Sequence, residues 1–204
     1  MNFDVLVIGG GAAGLSCALL LGSAKNEPYV LGKSIGIIAN QRSSSLQNAK
    51  FYNVLGLNAG TLGSDILTQG VEQLKNHYPH VKLIKGEKVV EIKQLNNSVE
   101  VITNKGNSYA CKNVVLAIGP KNFSIRGMED YMELHSKIDP AKQRTQLKNE
   151  NHKVTEHIYV AGVLAGLRSQ FAIATGSGAT VAMDILAEWN NGKPVKIHDK
   201  ITPQ

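Results

Sequence analysis

The sequence predicts an α/β domain built on a doubly wound parallel sheet, with a small antiparallel β-meander attached. Three observations predict it. Short β-branched apolar runs, Val5 to Ile8 and Val114 to Ile118, read as strands buried on both faces. A glycine-rich turn, Gly9 to Gly14, joins the first run directly to an apolar helix, Leu15 to Leu21. Four short alternating segments between Val81 and Ala110, with turns at Asn96-Asn97 and Lys105-Gly106-Asn107, have the period of half-buried antiparallel strands.

Each element follows in order. After the first strand, turn and helix, Tyr29-Val30-Leu31 reads as the second parallel strand and completes a βαβ unit. Gly32 to Gly63 is rich in Gly, Ser and Asn and long for a loop, and loops of that length usually carry function or cover something. A helix enters at Leu62 to Asp65, with Ser64 or Asp65 as caps, and Ile66, Leu67, Val71 and Leu74 form its apolar stripe to about His77. The meander runs through Val81–Ile84, Glu87–Gln94, Ser98–Asn104 and Ser108–Ala110. Beyond Val114–Ile118 comes a polar stretch of low periodicity, Lys121 to Glu156, and then a closing strand, His157 to Ala161. A loop from Gly162 to Ser169 leads to a long helix, Gln170 to Trp189. Gly176 and Gly178 lie inside that helix, where each costs about 1 kcal/mol relative to Ala. Close approach to a ligand or to the first βα turn would explain them, as would a packing notch. The expected organisation is one domain over 1–190, with 121–156 as a polar insert and 191–204 as a frayed tail.

Composition excludes several function classes. The chain has 204 residues, of which 43% are hydrophobic and 19% charged, which are globular values and rule out disorder for most of it. Aromatics make up only 5%, too few for a stacking platform on single-stranded nucleic acid. The net charge of +6 is spread along the chain, apart from Lys137, Lys142, Arg144, Lys148 and Lys153, so no nucleic acid partner is expected. No apolar run reaches the length of a membrane span, and no signal peptide precedes the first strand; the expected setting is cytoplasmic. Cys17 and Cys111 form no CxxC and read as core residues. The six histidines show no HxxxH or HExxH spacing, so no metal site is expected. Ser43-Ser44-Ser45 lacks a GxSxG elbow and reads as loop. His135 and His152 read as solvated loop residues, or as acid–base groups near a cofactor.

Gly9, Gly11 and Gly14 spell GxGxxG between a strand and a helix. The first glycine permits the tight turn, the second lets backbone approach a pyrophosphate, and the third lets helix and strand pack closely. The N–H groups of the helix start, including those of Ala12 and Ala13, then face the phosphates. This is the Rossmann-like arrangement that binds an adenine dinucleotide. The acidic residue that normally takes the ribose hydroxyls, at the end of the second strand, is replaced by Gly32-Lys33. Lys33 accepting a 2′-phosphate would point to NADP; a ribose held by backbone groups leaves NAD or FAD open.

Four stretches in order resemble the pyridine nucleotide–disulphide oxidoreductase flavoproteins, most closely the thioredoxin reductase-like branch. They are Val7 to Gly14, Asn58 to Leu67, Val114 to Pro120, and His157 to Gly162 followed by Ser169 to Gly178; together the likeness covers most of 1–120 and 155–190. The resemblance implies FAD as cofactor. It places Ala117 and Gly119 at the strand end beside it, Gly162 and Val163 at the ribityl chain, Gln170 and Phe171 at the isoalloxazine, and the backbone of Val89 at adenine. It also implies two departures. Val163 stands where the family has an aspartate, and 121–156 stands where the family inserts a second nucleotide domain with its own GxGxxG and usually a CxxC. The expectation is an FAD-binding oxidoreductase of reduced architecture, taking electrons from a nicotinamide cofactor or a redox partner protein, with no side-chain catalyst identified. A non-catalytic nucleotide-binding module and an NADP-binding reductase are the alternatives. A site this small leaves room for a homodimer to complete it.

Overall fold

The computed structural model describes residues 1–42, 44–121 and 123–198. The chain runs through β1 (Asn2–Ile8), α1 (Ala12–Ser23), β2 (Ile35–Ala39), β3 (Lys50–Phe51), β4 (Thr61–Leu62) and α2 (Gly63–His77). It continues with β5 (Lys82–Lys85), β6 (Val89–Leu95), β7 (Ser98–Thr103) and β8 (Ser108–Leu116). The last elements are β9 (Met132–Leu134), β10 (Thr145–Leu147), β11 (Lys153–Thr155), β12 (Ile158–Val160) and α3 (Phe171–Trp189).

The main sheet has the order β11-β12-β8-β1-β2-β5. Strands β12, β8, β1, β2 and β5 are mutually parallel, with Leu6 opposite both Gly36 and Val114, and Ile158 opposite Val114. Strand β8 is the branch point of this eight-stranded sheet, which also takes in β7 and β6. Its burial pattern alternates over the first half, where it pairs antiparallel with β7, and is continuous over the second, where it lies between β1 and β12. The expected breaks between Ser108–Ala110 and Val114–Ile118 are therefore absent, and the two segments form one strand.

The second strand differs from expectation. Pro28–Val30 forms a 3₁₀ turn, Leu31 is exposed and Gly32 takes φ +78°. Pro28, with its φ fixed at a value that suits a turn, takes the first position of this turn, and the Val30 N–H closes it on the Glu27 carbonyl at 2.9 Å. The parallel strand is Ile35–Ala39, every residue of it buried. Its Gly36 interrupts the β-branched pattern because the Phe3 ring lies against it, where a Cβ would come 2.6 Å from Cε1.

The helices also differ from expectation. Among the described residues, all three α-helices lie on one face instead of covering both. Leu15, Leu21, Leu67, Val71, Val181 and Ile185 pack on Val5, Val7, Ile35 and Val115. On the other face, Leu6, Ile8, Val114 and Leu116 pack under Ile92, Val99 and Val101 of the meander, and under Met128 and Leu147 of the 121–156 segment. The meander and the insert thus do the covering that a second helix layer would do.

Three backbone approaches fix the corner where β1, β8, α1 and α3 meet. A Cβ on Gly9 (φ +122°) would strike the Ala117 carbonyl oxygen, one on Gly14 the Gly9 oxygen, and one on Gly178 the Ala13 oxygen. Ser16 Oγ donates to the Thr175 carbonyl at 2.8 Å, pinning the two helices further. Gly176 has nothing within 4 Å of its Cβ direction, so its glycine answers to no packing contact.

Cys17 and Cys111 are buried in the cores on opposite faces of the sheet. Desolvation pushes both thiols up to about 12.

Two outcomes follow. Gly14→Ala and Gly178→Ala should each lower unfolding free energy by about 1–3 kcal/mol in urea melts, because backbone must shift to admit the methyl. Gly176→Ala should be neutral or stabilising by up to about 1 kcal/mol. At pH 8 both cysteines stay protonated, being well below their raised pKa values. Ellman's reagent should therefore report no fast thiol in the native protein and two after denaturation.

Candidate functional site

A cavity of about 410 Å³ opens at the carboxyl end of the parallel strands. Its floor is the Gly9–Ala13 turn, one wall is Ala117–Pro120, another is Gly162–Val163, and Gln170–Phe171 close it. Asn40, Ser44, Phe51 and Asn53, from the long segment after β2, face the turn. Beyond Asn40 a second hollow of about 580 Å³ continues, lined in part by Gln41, Arg42, Glu87 and Lys88.

Two helix N-termini converge on this cavity. Helix α1 begins at Gly11 with no side-chain cap and no acidic residue in its first turn. Helix α3 begins beside Gln170, whose Oε1 accepts from the Ile173 N–H at 3.0 Å and leaves the Phe171 and Ala172 N–H groups without that partner. Free N–H donors and the positive ends of two helix dipoles in one cavity favour a bound anion. The glycines that permit this divide the work. Gly9 and Gly14 are occupied by close backbone contact, whereas a Cβ on Gly11 would meet only Ser44 Oγ, at 3.5 Å. Gly11 is therefore the glycine whose missing side chain leaves space for a ligand.

The Gly162–Val163 wall is held from two sides. The Gly162 N–H donates to buried Ser177 Oγ at 2.8 Å, and Gly162 takes φ +74°. Phe51 and Phe171 meet with ring centroids 5.1 Å apart and give the cavity an apolar edge. Among the described residues, the lining holds no carboxylate, imidazole, amine or thiol; its polar side chains are neutral amides and hydroxyls. Chemistry in such a cavity must come from the ligand.

Ten sequence-predicted residues line the cavity together: Gly9, Gly11, Ala12, Ala13, Ala117, Gly119, Gly162, Val163, Gln170 and Phe171. Gly14 lies just behind, against the Gly9 oxygen. Three lie elsewhere. Gly32 and Lys33 sit at the amino end of β2, at the opposite edge of the sheet, because the true second strand starts after them. There Lys33 Nζ pairs with Asp4 Oδ1 at 3.3 Å and lies over the Trp189 ring, so it cannot reach a ligand at the glycine turn. Val89 is buried in the meander opposite Thr103 and lines neither hollow. The segment bordering the second hollow is Lys85–Lys88, one to four residues earlier. Glu87 there is tied by Tyr109 Oη at 3.0 Å and Asn107 Nδ2 at 2.8 Å.

Sequence reasoning missed Asn40. It ends the real second strand, the place where a ribose-binding carboxylate is usual, and borders both hollows. The run Ile35–Ala39 preceding it was the available signal. His135 is buried and is not a solvated loop residue, while His152 is half-buried in a turn; each donates to a backbone carbonyl, Val163 O at 2.9 Å and Val160 O at 3.0 Å. Neither lines the cavity. Of the triple serine, Ser44 caps a short turn through the Leu46 N–H and Ser45 lines the cavity, while Ser43 lies outside the described residues. Among the described residues there is no metal-binding cluster, and no helix is long and apolar enough to cross a membrane.

Comparison with known proteins places this site in context. A ferredoxin–NADP reductase of Pelagibacter ubique is 27% identical over 133 residues, covering 63% of this chain and 38% of that protein. A ferredoxin–NADP reductase of Staphylococcus saprophyticus is 28% identical over 152 residues, covering 69% and 42%. The chain thus spans about two-fifths of the length of these curated relatives. In fold it is similar to a thioredoxin reductase from Gloeobacter violaceus, with TM-score 0.72, 15% identity and 99% of each chain covered. An oxidoreductase from Agrobacterium tumefaciens gives TM-score 0.71 at 15% identity, with 95% of this chain and 100% of that one covered. The family model for pyridine nucleotide-disulphide oxidoreductases matches residues 3–183, and this chain belongs to that family.

Proposed function

We propose that the chain is an FAD-binding oxidoreductase in which the cavity holds the dinucleotide, and that electrons come from a free nicotinamide cofactor or a redox partner protein. The observation that carries this reading is the convergence of two helix starts, that of α1 uncapped and that of α3 with its Phe171 and Ala172 N–H groups left by the Gln170 cap, and of the open Gly11 cradle on one cavity whose described lining holds no titratable side chain. The residues fit the group. Gly9–Ala13 and the start of α1 would take the pyrophosphate, Asn40 the adenosine ribose, and Gly162–Val163 with the start of α3 the flavin end. FAD supplies hydride and electron chemistry when bound; the protein supplies binding, orientation and electrostatics. The N–H groups at the start of α3 would stabilise negative charge at the flavin end. The apolar Phe51–Phe171 edge would restrict water there.

A second reading has its own observation. Arg42, Lys85 and Lys88 line the hollow beyond Asn40, and none of the three takes part in an ion pair among the described residues. Lys75 crowds Lys85 closely enough to lower its pKa. Asn40 puts a neutral amide at the strand end, and the Glu87 carboxylate that also lines the hollow is tied to Tyr109 and Asn107, so an NADP-type dinucleotide is the competitor for the cleft.

Absorbance of the chain incubated with FAD and desalted tests the first reading. Stoichiometric flavin bands are expected, and a colourless protein would sink it. Gly11→Val should keep its fold but weaken FAD uptake by at least about tenfold, or roughly 1.4 kcal/mol. The two readings separate in competition by 2′,5′-ADP and 5′-ADP. FAD predicts equal affinities. The NADP reading predicts tighter 2′,5′-ADP, with about a tenfold loss in Arg42→Ala or Lys88→Ala, the weight of one charge-assisted hydrogen bond of about 1.5 kcal/mol.

A further inference from the structure

The segment 121–156, polar and without clear periodicity in sequence, makes a specific set of bonds. Its hairpin, β9 and β10, reaches both loops that wall the cavity. The Thr145 N–H donates to the Pro120 carbonyl at 3.2 Å, and Asn149 Nδ2 to the Ala165 carbonyl at 3.3 Å. The His135 N–H extends the hairpin by donating to Arg144 O at 2.8 Å. The His135 side chain then turns inward and is only 2% exposed. Both of its ring nitrogens are used. Nδ1 lies 3.1 Å from the Lys137 N–H, and Nε2 lies 2.9 Å from the Val163 carbonyl.

These two bonds fix the tautomer. A backbone N–H can only donate, so Nδ1 is the acceptor and the ring proton sits on Nε2, which donates to Val163 O. The acceptor belongs to the cavity wall. Its neighbour Gly162 is gripped from the other side by Ser177 of α3. The turn is thus held between a helix and the insert, at a point where its own side chain, Val163, offers no polar contact to a ligand.

We propose that 121–156 is a clamp on the cofactor wall and that His135 is its positioning residue, holding the Gly162–Val163 turn at the flavin end of the cavity. The proposal rests on the FAD reading above. It gives the insert a role in the site: it braces the Gly162–Val163 wall from one side while Ser177 of α3 holds it from the other.

The test compares FAD and ADP as probes in wild type, His135→Phe and His135→Gln. ADP probes only the glycine turn and the adenosine end and lacks the ribityl and flavin groups that would meet the Val163 side of the wall. His135→Phe keeps the volume and loses the donor, and it should weaken FAD about tenfold while leaving ADP affinity unchanged. His135→Gln keeps a donor and should recover most of the FAD affinity. If His135→Phe does not fold, His135→Gln against the shorter His135→Asn makes the same comparison. Equal loss of FAD and ADP affinity would mean a merely structural role and overturn the proposal, as would FAD affinity indifferent to all variants. Wild-type protein that binds ADP but takes up no FAD would overturn the FAD reading and the proposal with it.

Discussion

The backbone contact at the β1–α1 turn is the constraint on which the rest of the molecule depends. Gly14 lets α1 start directly over the Gly9 carbonyl, Gly9 lets the turn lie on the end of β8, and Gly178 lets α3 lie on the first turn of α1. Without these three approaches the two helix starts could not share one cavity. A methyl at any of them meets a carbonyl oxygen, not a movable side chain, so the corner has no cheap way to relax. Packing and ligand binding are coupled here because the same few backbone atoms serve both.

From that corner the layers follow. The helices stack on one face of the sheet, where β1, β2 and β8 present Val5, Val7, Ile35 and Val115. The other face is closed by the meander and by the 121–156 segment, with Met128 and Leu147 buried. The cavity stays at the carboxyl edge of the strands, the usual ligand position in an open α/β sheet. Its lining is small, apolar or neutral. A protein that leaves the chemistry to its ligand needs a wall that does not move, and Ser177 and His135 supply one from two sides.

Much of this was legible in the residues. The GxGxxG turn, the buried strand Val114–Leu116 and Gly178 in the last helix each carry a local steric signature, and they mark the corner beside which the cavity lies. The meander was legible through its alternation. The second strand was not, because Gly36 breaks its β-branched run to receive the Phe3 ring, while Tyr29-Val30-Leu31 has strand composition but follows a proline. That one misplacement carried Lys33 into the site and left Asn40 out of it. Val89 comes from the resemblance, as a backbone contact to adenine; its side chain lies in the meander core, and Lys85–Lys88 just before it border the second hollow. The role of His135 could not be read at all, since its partners, Lys137 N–H and Val163 O, are backbone groups with no residue signature.

The central claim is that the pyrophosphate of a dinucleotide is held by the start of α1 and the Gly11 cradle, with the start of α3 facing the flavin end. Isothermal titration with FAD and with riboflavin, which shares the flavin ring but has no phosphate, tests it most directly. The account predicts that FAD binds at least about a hundredfold more tightly, or roughly 2.7 kcal/mol. Equal affinities for the two would contradict it.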